Sequence, residues 1–502
     1  MDVSKPNRTS YDEVAVLSES CVLNNRRKKL LRFKVNVNAL CIYNGRSPLH
    51  YSCKIGCFCC TEFLLERGCD VDIIQGGITP LHVACKHDKT KLAKLLIKYA
   101  ANVNYLTRNK ETPLHKACYK GSISCTELLL KMGADVHTPH SPITPLHIAC
   151  RYDNVECARI LLKYGSHINA LSYNEETPLN YACYSGSVVC TELLLNMGAD
   201  VHIPQGGFHT SLHAACLHGS VECAQILLLY GANVNVMDDS EETPLYNACI
   251  AGSVVCAEFL LLMGAEVDAP QSSRIPLHGA CEKDKVECAE MLLKYGANIN
   301  ATDIWGRTPL IAACQYLSTS CVELLLKMGA NIDTIGNTRT ALHLASHRGS
   351  TECISLLIKA GANVNVKNRQ RFTPLHDTCI LNRPDCARML LEAGAKVNAS
   401  DRRRRTALHI SCSEDYIEVG KVLIEFGANV NARDRRNKLP VDHLFSKEKE
   451  FYDLLIQCAA QPVPLMDLCR RKIRAAVGSR RLGSLDKLNL PKNLLLYLKH
   501  KE

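Results

Sequence analysis

Tryptophan occurs once in 502 residues, at Trp305, and aromatic side chains make up only 6% of the chain. A surface that stacks nucleic-acid bases needs several such rings along a basic track, so no nucleic-acid partner is expected. Long apolar runs are missing too. Without a stretch of about 18 apolar residues, no transmembrane helix and no membrane partner are predicted. The opening Met1-Asp2-Val3-Ser4-Lys5 leads into no apolar segment, and the 28 cysteines are spread along a long chain. Disulfide scaffolds are short, cysteine-dense and secreted, so a reducing compartment is expected: the cytoplasm, with the nucleus also open to the protein. The sequon Asn7-Arg8-Thr9 is then expected to stay unmodified. Gly-rich phosphate loops, a Gly-x-Ser-x-Gly elbow and a His-Glu-x-x-His helix are absent. No enzyme activity and no cofactor are predicted.

What is present is repetition. Thr-Pro-Leu-His or a close variant begins at Ser47, Thr79, Thr112, Thr144, Thr177, Thr210, Thr243, Ile275, Thr308, Thr340, Thr373 and Thr406, always 32 or 33 residues apart. A degenerate copy follows at Lys438-Leu439-Pro440-Val441, and Lys34-Val35-Asn36-Val37-Asn38 matches the end of a unit. Such a period marks a stack of equivalent supersecondary units. In each, Thr can N-cap a helix, Pro sits where its missing N–H costs nothing, and Leu turns inward. A second helix such as Cys125-Thr126-Glu127-Leu128-Leu129-Leu130 is apolar nearly all round, as a helix covered from both sides must be. Gly133 stops it, and an Asn-Val-Asn stretch begins a finger leading to the next unit. Second helices end alternately in Tyr (Tyr99, Tyr164, Tyr230, Tyr295) and Met (Met132, Met197, Met263, Met328), which fits duplication of a two-repeat block.

His115 and Cys118, three apart on one helix, recur at His82/Cys85, His147/Cys150, His213/Cys216, His278/Cys281, His376/Cys379 and His409/Cys412. Metal ligation fits that spacing, but so does structure: His bonded to the motif Thr, and Cys packed as a small hydrophobe. Asn180, Tyr246 and Ile311 replace the histidine without disturbing the period, which favours structure and no metal. The first repeat, with Cys53, Cys57, Cys59, Cys60 and Cys69, is the place to look for zinc or a reactive thiol.

Net charge is +10, yet residues 41–365 carry 25 basic and 30 acidic side chains while residues 366–440 carry 15 and 9. The excess lies in the last fingers: Arg369, Arg371, Arg402, Arg403, Arg404, Arg405, Arg435 and Arg436. An acidic partner steered to these fingers is one reading, and solvated loop tips are the other.

After Pro462 the period gives way to a new pattern. Leu465, Leu468, Cys469 and Ile473 fall at helical spacing beside a basic face, and Leu488-Asn489-Leu490-Pro491 precedes a leucine-rich ending. Some forty residues of this kind bury too little surface alone, so they need the last repeats or another protein.

The repeated units resemble ankyrin repeats, and the tail is similar to a SOCS box, so the chain is identified as resembling the ankyrin repeat and SOCS box family. The resemblance implies an all-α ankyrin-repeat solenoid of 12 to 13 repeats with β-hairpin fingers. Its parts would be an N-terminal extension and partial capping repeat (1–33), the array (34–460) and the SOCS box (461–502). It further implies a non-catalytic substrate receptor of a ubiquitin ligase. Leu465, Leu468, Cys469 and Ile473 would bind elongin C in its complex with elongin B. Leu488, Leu490 and Pro491 would meet cullin-5 with its RING protein, although Asn489 departs from the usual proline. The repeats would hold an unknown protein substrate. The alternative is a stand-alone ankyrin scaffold whose tail only caps the stack.

Overall fold

In the computed structural model of the chain, residues 47–138, 141–203, 209–268, 274–444 and 449–460 are described. They form 25 α-helices and one 3-10 turn and, among the described residues, no regular strand. The chain divides into two compact units between Ser240 and Glu241. Within each unit, every repeat contributes an inner helix of seven or eight residues and an outer helix of nine. This is the expected all-α ankyrin fold.

The inner helix starts as the motif predicts, with one addition. Thr112 is extended at the N-cap and Pro113 occupies the first turn, while His115 closes a reciprocal cap in which Thr112 N–H donates to its Nδ1 at 3.0 Å. The other ring nitrogen, Nε2, donates to the Ile143 carbonyl of the following repeat at 2.8 Å. His50, His82, His147, His278, His343 and His409 make the same forward bond, to Ile78, Glu111, Glu176, Arg307, Phe372 and Lys438. Each of these histidines except His278, whose repeat has Ile275 in place of the capping Thr, is thus both helix cap and inter-repeat tie.

The cysteines line the seam between repeats. Cys118 lies against Cys157 of the next outer helix, as Cys150 does against Cys190 and Cys314 against Cys353. Burial drives the Cys118 thiol well above its ordinary value, so it packs as a neutral small side chain. Close approach also explains Gly279: a Cβ there would stand 2.5 Å from the Tyr246 ring and 2.8 Å from Ile250.

The fingers close as tight hairpin turns rather than as strands, with Gln75–Ile78 and Ser400–Thr406 as isolated antiparallel bridges. Four-residue closures such as Asp303 N–H to Arg307 O at 3.0 Å leave no length for a ladder. Side chains register the fingers instead. Asn104 Oδ1 accepts the Asp135 N–H, Asn300 Oδ1 the Asn331 N–H and Asn398 Oδ1 the Asn429 N–H, at 2.7–2.9 Å. The Asn-Val-Asn stretch is therefore a stitch between repeats.

The Tyr/Met alternation also has a structural correlate in these fingers. Units ending in Tyr99, Tyr164, Tyr230 and Tyr295 span 33 residues from motif to motif, as does the one ending in Met197, whereas those ending in Met132, Met263 and Met328 span 32. The shorter finger after Met328 turns early, through Gly336 N–H to Arg339 O at 3.0 Å.

At the far end the repeat decays in an orderly way. Pro440–His443 forms the 3-10 turn where an inner helix would stand. Helix Lys449–Ala460 follows, and its Phe451, 1% exposed, rests on Gly420 of the last outer helix, where a Cβ would lie 2.4 Å from the ring. Leu455 is buried beside it in sequence. Residues 449–460 thus cover the last complete repeat.

Candidate protein-interaction surface

An aspartate fixes each of the last two arginine fingers. Asp401, itself buried, accepts the N–H groups of Arg403 and Arg405 at 2.7 and 2.8 Å on one oxygen and the Arg405 Nε at 3.0 Å on the other. Asp434 likewise accepts the N–H groups of Arg436 and Lys438. Asn368 does the same for Gln370 and Phe372 one finger earlier. The three fingers touch in sequence, since Arg402 N–H donates to Gln370 O and Arg435 N–H to Arg403 O, at 3.3 and 2.9 Å.

Chemically, this sets Arg369, Arg371, Arg402, Arg403, Arg404, Arg435 and Arg436 in one exposed row. Arg405 differs. Its guanidinium is clasped to Asp401 and only 23% exposed, so it shapes the finger more than it projects from it. Tip residues Arg371 and Arg404 hold φ of 63° and 60°, a left-handed conformation that a side chain adopts at some cost.

In the first repeat, the sulfurs of Cys57, Cys59 and Cys60 lie within 4.8 Å of one another, close enough to share a soft cation. Burial and the neighbouring Cys60 push the Cys57 thiol up to about 12, so without a cation it is a protonated thiol rather than a nucleophile. Cys53 and Cys69 are buried apart from that trio, with thiols raised by burial to about 12 and about 11. The histidines of the His/Cys series are engaged otherwise: His115 has both nitrogens bonded, and burial lowers it to about 4, keeping it neutral.

Two expectations fall elsewhere. Leu465, Leu468, Cys469 and Ile473, expected to meet elongin C, and Leu488, Leu490 and Pro491, expected to meet cullin-5, lie outside the described residues, as does the extension at 1–33. No helix among the described residues is long and apolar enough to cross a membrane.

Sequence reasoning missed the aspartate clasp, although Asp-x-x-x-Arg at Asp303/Arg307 and Asp401/Arg405 was a visible signal. It also missed a buried acid, Asp377, fully enclosed on an inner helix, which only the fold brings beside Arg339 at 3.0 Å.

Comparison with known proteins agrees with the stacked geometry. The family model described as "Ankyrin repeats (3 copies)" matches residues 70–140, 136–205, 206–271, 265–336, 333–401 and 366–434, and "Ankyrin repeat" matches 44–75. "SOCS box" matches residues 461–499. Over 38 residues the chain is 55% identical to mouse SPRY domain-containing SOCS box protein 1, covering 8% of this chain and 14% of that protein. It is 38% identical over 112 residues to human SMC5-SMC6 complex localization factor protein 1, covering 20% and 10%. The chain therefore spans only a small part of these curated relatives. The crystal structure of the human ASB11 ankyrin repeat domain is 30% identical, with a TM-score of 0.39, over 51% of this chain and 99% of that one.

The fold and the family matches define an ankyrin-repeat protein, with the period, the caps and the seams all in place. With a SOCS box following the array, the chain belongs to the ankyrin repeat and SOCS box family.

Proposed function

We propose that this chain is the non-catalytic, target-binding subunit of a cullin–RING ubiquitin ligase. Residues 34–460 hold the protein to be modified, and residues 461–502 join the receptor to the ligase. Leu465, Leu468, Cys469 and Ile473 fill the apolar pocket of elongin C, bound to elongin B. Leu488, Leu490 and Pro491 meet cullin-5 and its RING protein, and the work is done in the cytoplasm. The physical contribution is proximity: tethering a target lysine near a ubiquitin-charged enzyme raises its effective concentration without any catalytic group from the receptor.

The observation that carries this reading is the division at the carboxyl end. A SOCS-box match begins at residue 461, immediately after helix Lys449–Ala460 has put Phe451 over the last repeat. A tail serving only as a lid would duplicate a cover already supplied. The arginine row supports an acidic target surface, because a field of one sign on adjoining fingers steers and orients an oppositely charged partner. Reversing Arg402, Arg403 and Arg404 to Glu should weaken target capture most at low salt.

Co-expression with elongin B and elongin C tests the core of the proposal. The wild-type chain should recover both, and a Leu465→Ala, Cys469→Ala double variant neither. Equal recovery, or none with either protein, would return the chain to the scaffold reading.

A further inference from the structure

Within the second unit, the short finger at 331–339 leaves a cavity of about 650 Å³ against the preceding long finger and the inner helices Pro309–Tyr316 and Ala341–Arg348. That volume is in the range of pockets that take small ligands or a few side chains. Four arginines line it, Arg274, Arg307, Arg339 and Arg348, beside His347, which burial and the neighbouring arginines keep neutral; Glu282 is the lining acid, and Glu242, Asp303 and Asp377 stand behind the arginines. The wall is Trp305, 43% exposed, with the guanidinium of Arg307 4.8 Å and that of Arg274 5.6 Å from the indole.

The arginines are not equivalent. Arg307 is pinned by Asp303 at 2.7 Å, Glu282 at 2.8 Å and Gln315 at 3.1 Å, so it braces the indole rather than reaching for a ligand. Arg274 lies 3.9 Å from Glu242 and bonds Tyr246, and Arg348 stands exposed on the rim. Arg339 faces the enclosed Asp377 at 3.0 Å, but off-axis, so neither Asp377 oxygen has a hydrogen bond among the described residues. Burial raises that carboxyl to about 7, which leaves it part-protonated near neutrality and Arg339 incompletely neutralised. The cations the cavity offers are the exposed Arg348 and the incompletely neutralised Arg339, together with Arg274 over the flat apolar wall. The exposed arginine row begins two fingers further on and continues the same sign.

We propose that this cavity receives an acidic segment of the recruited protein, its carboxylates facing Arg274, Arg339 and Arg348 and an adjoining apolar or aromatic side chain lying on the Trp305 indole. A lysine- or arginine-bearing segment would meet three cations before it reached the ring. The inference rests on the repeats being the target-holding part of the receptor and names the chemistry they select.

Trp305 is the sole tryptophan, so its emission reports this cavity alone. The full-length chain is titrated with a peptide of alternating glutamate and phenylalanine, with its glutamine counterpart and with its lysine counterpart. The glutamate peptide should shift the emission saturably, and the other two should bind at least tenfold more weakly. Arg348→Glu and Arg274→Gln should each weaken it at least fivefold, while Lys327→Glu on the outer helix of the same repeat leaves it unchanged. No emission change with the glutamate peptide, equal binding of the glutamine or lysine peptide, or insensitivity to Arg348→Glu overturns the proposal. Elongin capture is read separately on the same preparations: its loss with peptide binding intact overturns the ligase reading alone, and its retention without peptide binding overturns the cavity alone.

Discussion

Two fingers of the second unit share a frame and differ in what they carry. Asp303 accepts the N–H groups of Trp305 and Arg307 and clasps the Arg307 Nε, and Asp401 accepts those of Arg403 and Arg405 and clasps the Arg405 Nε. Between the acid and its arginine the first finger has Ile304, Trp305 and Gly306, and the second has Arg402, Arg403 and Arg404. A buried acid fixes the turn, so the tip is free to vary: one tip became an aromatic wall and the other a cationic row. The difference teaches that the repeat's conserved-looking positions hold the backbone while recognition is written between them.

The buried histidines of the repeats that carry the fingers are disrupted most severely by acid. His82, His115, His147, His343 and His376 are held near 4 by burial, below the ordinary 6.5. Because the unfolded chain takes up these protons first, stability is fully present above about pH 6.5 and is lost as pH falls toward 4, by at most roughly 3 kcal/mol per histidine. Urea unfolding at stepped pH should show this loss; a flat profile from pH 7 to 4.5 would contradict it.

Removing the clasp itself is the next largest effect. Asp303→Ala and Asp401→Ala each delete charge-assisted bonds to two backbone N–H groups and should cost about 2–3 kcal/mol. Asp303→Ala should cost more, because Arg307 is 14% exposed and Arg405 is 23% exposed. Equal and negligible losses in the urea midpoint would mean the fingers are held by stacking alone.

Asp377→Asn sharpens the comparison from the opposite side, since this acid accepts no hydrogen bond from a finger among the described residues. Its folded value of about 7 lies above the ordinary 3.8, so stability is lost progressively as pH rises from about 4 to about 7 and by a constant amount above that. The asparagine variant should be more stable by about 1–2 kcal/mol at pH 8, the gain vanishing as pH falls toward 4. A gain independent of pH would point to packing instead.

The smallest effects come from exchanging the tips. Arg404 and Gly306 occupy the same left-handed position, at φ 60° and 67°. Arg404→Gly should therefore stabilise by roughly 0.5–1 kcal/mol, and Gly306→Ala should cost about as much. Shifts of the same sign in thermal midpoint would show that the two tips are not equivalent.

The array was legible because a single short motif recurs twelve times, and even a weak local signal becomes decisive at constant spacing. The Thr cap and the Pro first turn followed from the motif alone. The forward bond that most of the histidines make did not, because its acceptor lies 28 or 29 residues ahead and is a backbone carbonyl of no particular residue type. The arginine fingers were legible as composition, yet the sequestering of Arg405 required the turn to be seen. Trp305 stood out only as rare. That it walls a cavity depends on the next finger being one residue short, a difference that alternation of Tyr99 and Met132 hinted at without explaining.

The most direct test of the receptor account is a comparison of what the chain holds with what it removes. Proximity labelling from the intact protein and from the Leu465→Ala, Cys469→Ala variant, each with and without proteasome inhibition, identifies neighbours and their turnover. The account predicts one shared set of neighbours, scarce with the intact protein until the proteasome is blocked and abundant with the variant throughout. Neighbours whose abundance ignores both the tail substitutions and the inhibitor would contradict it.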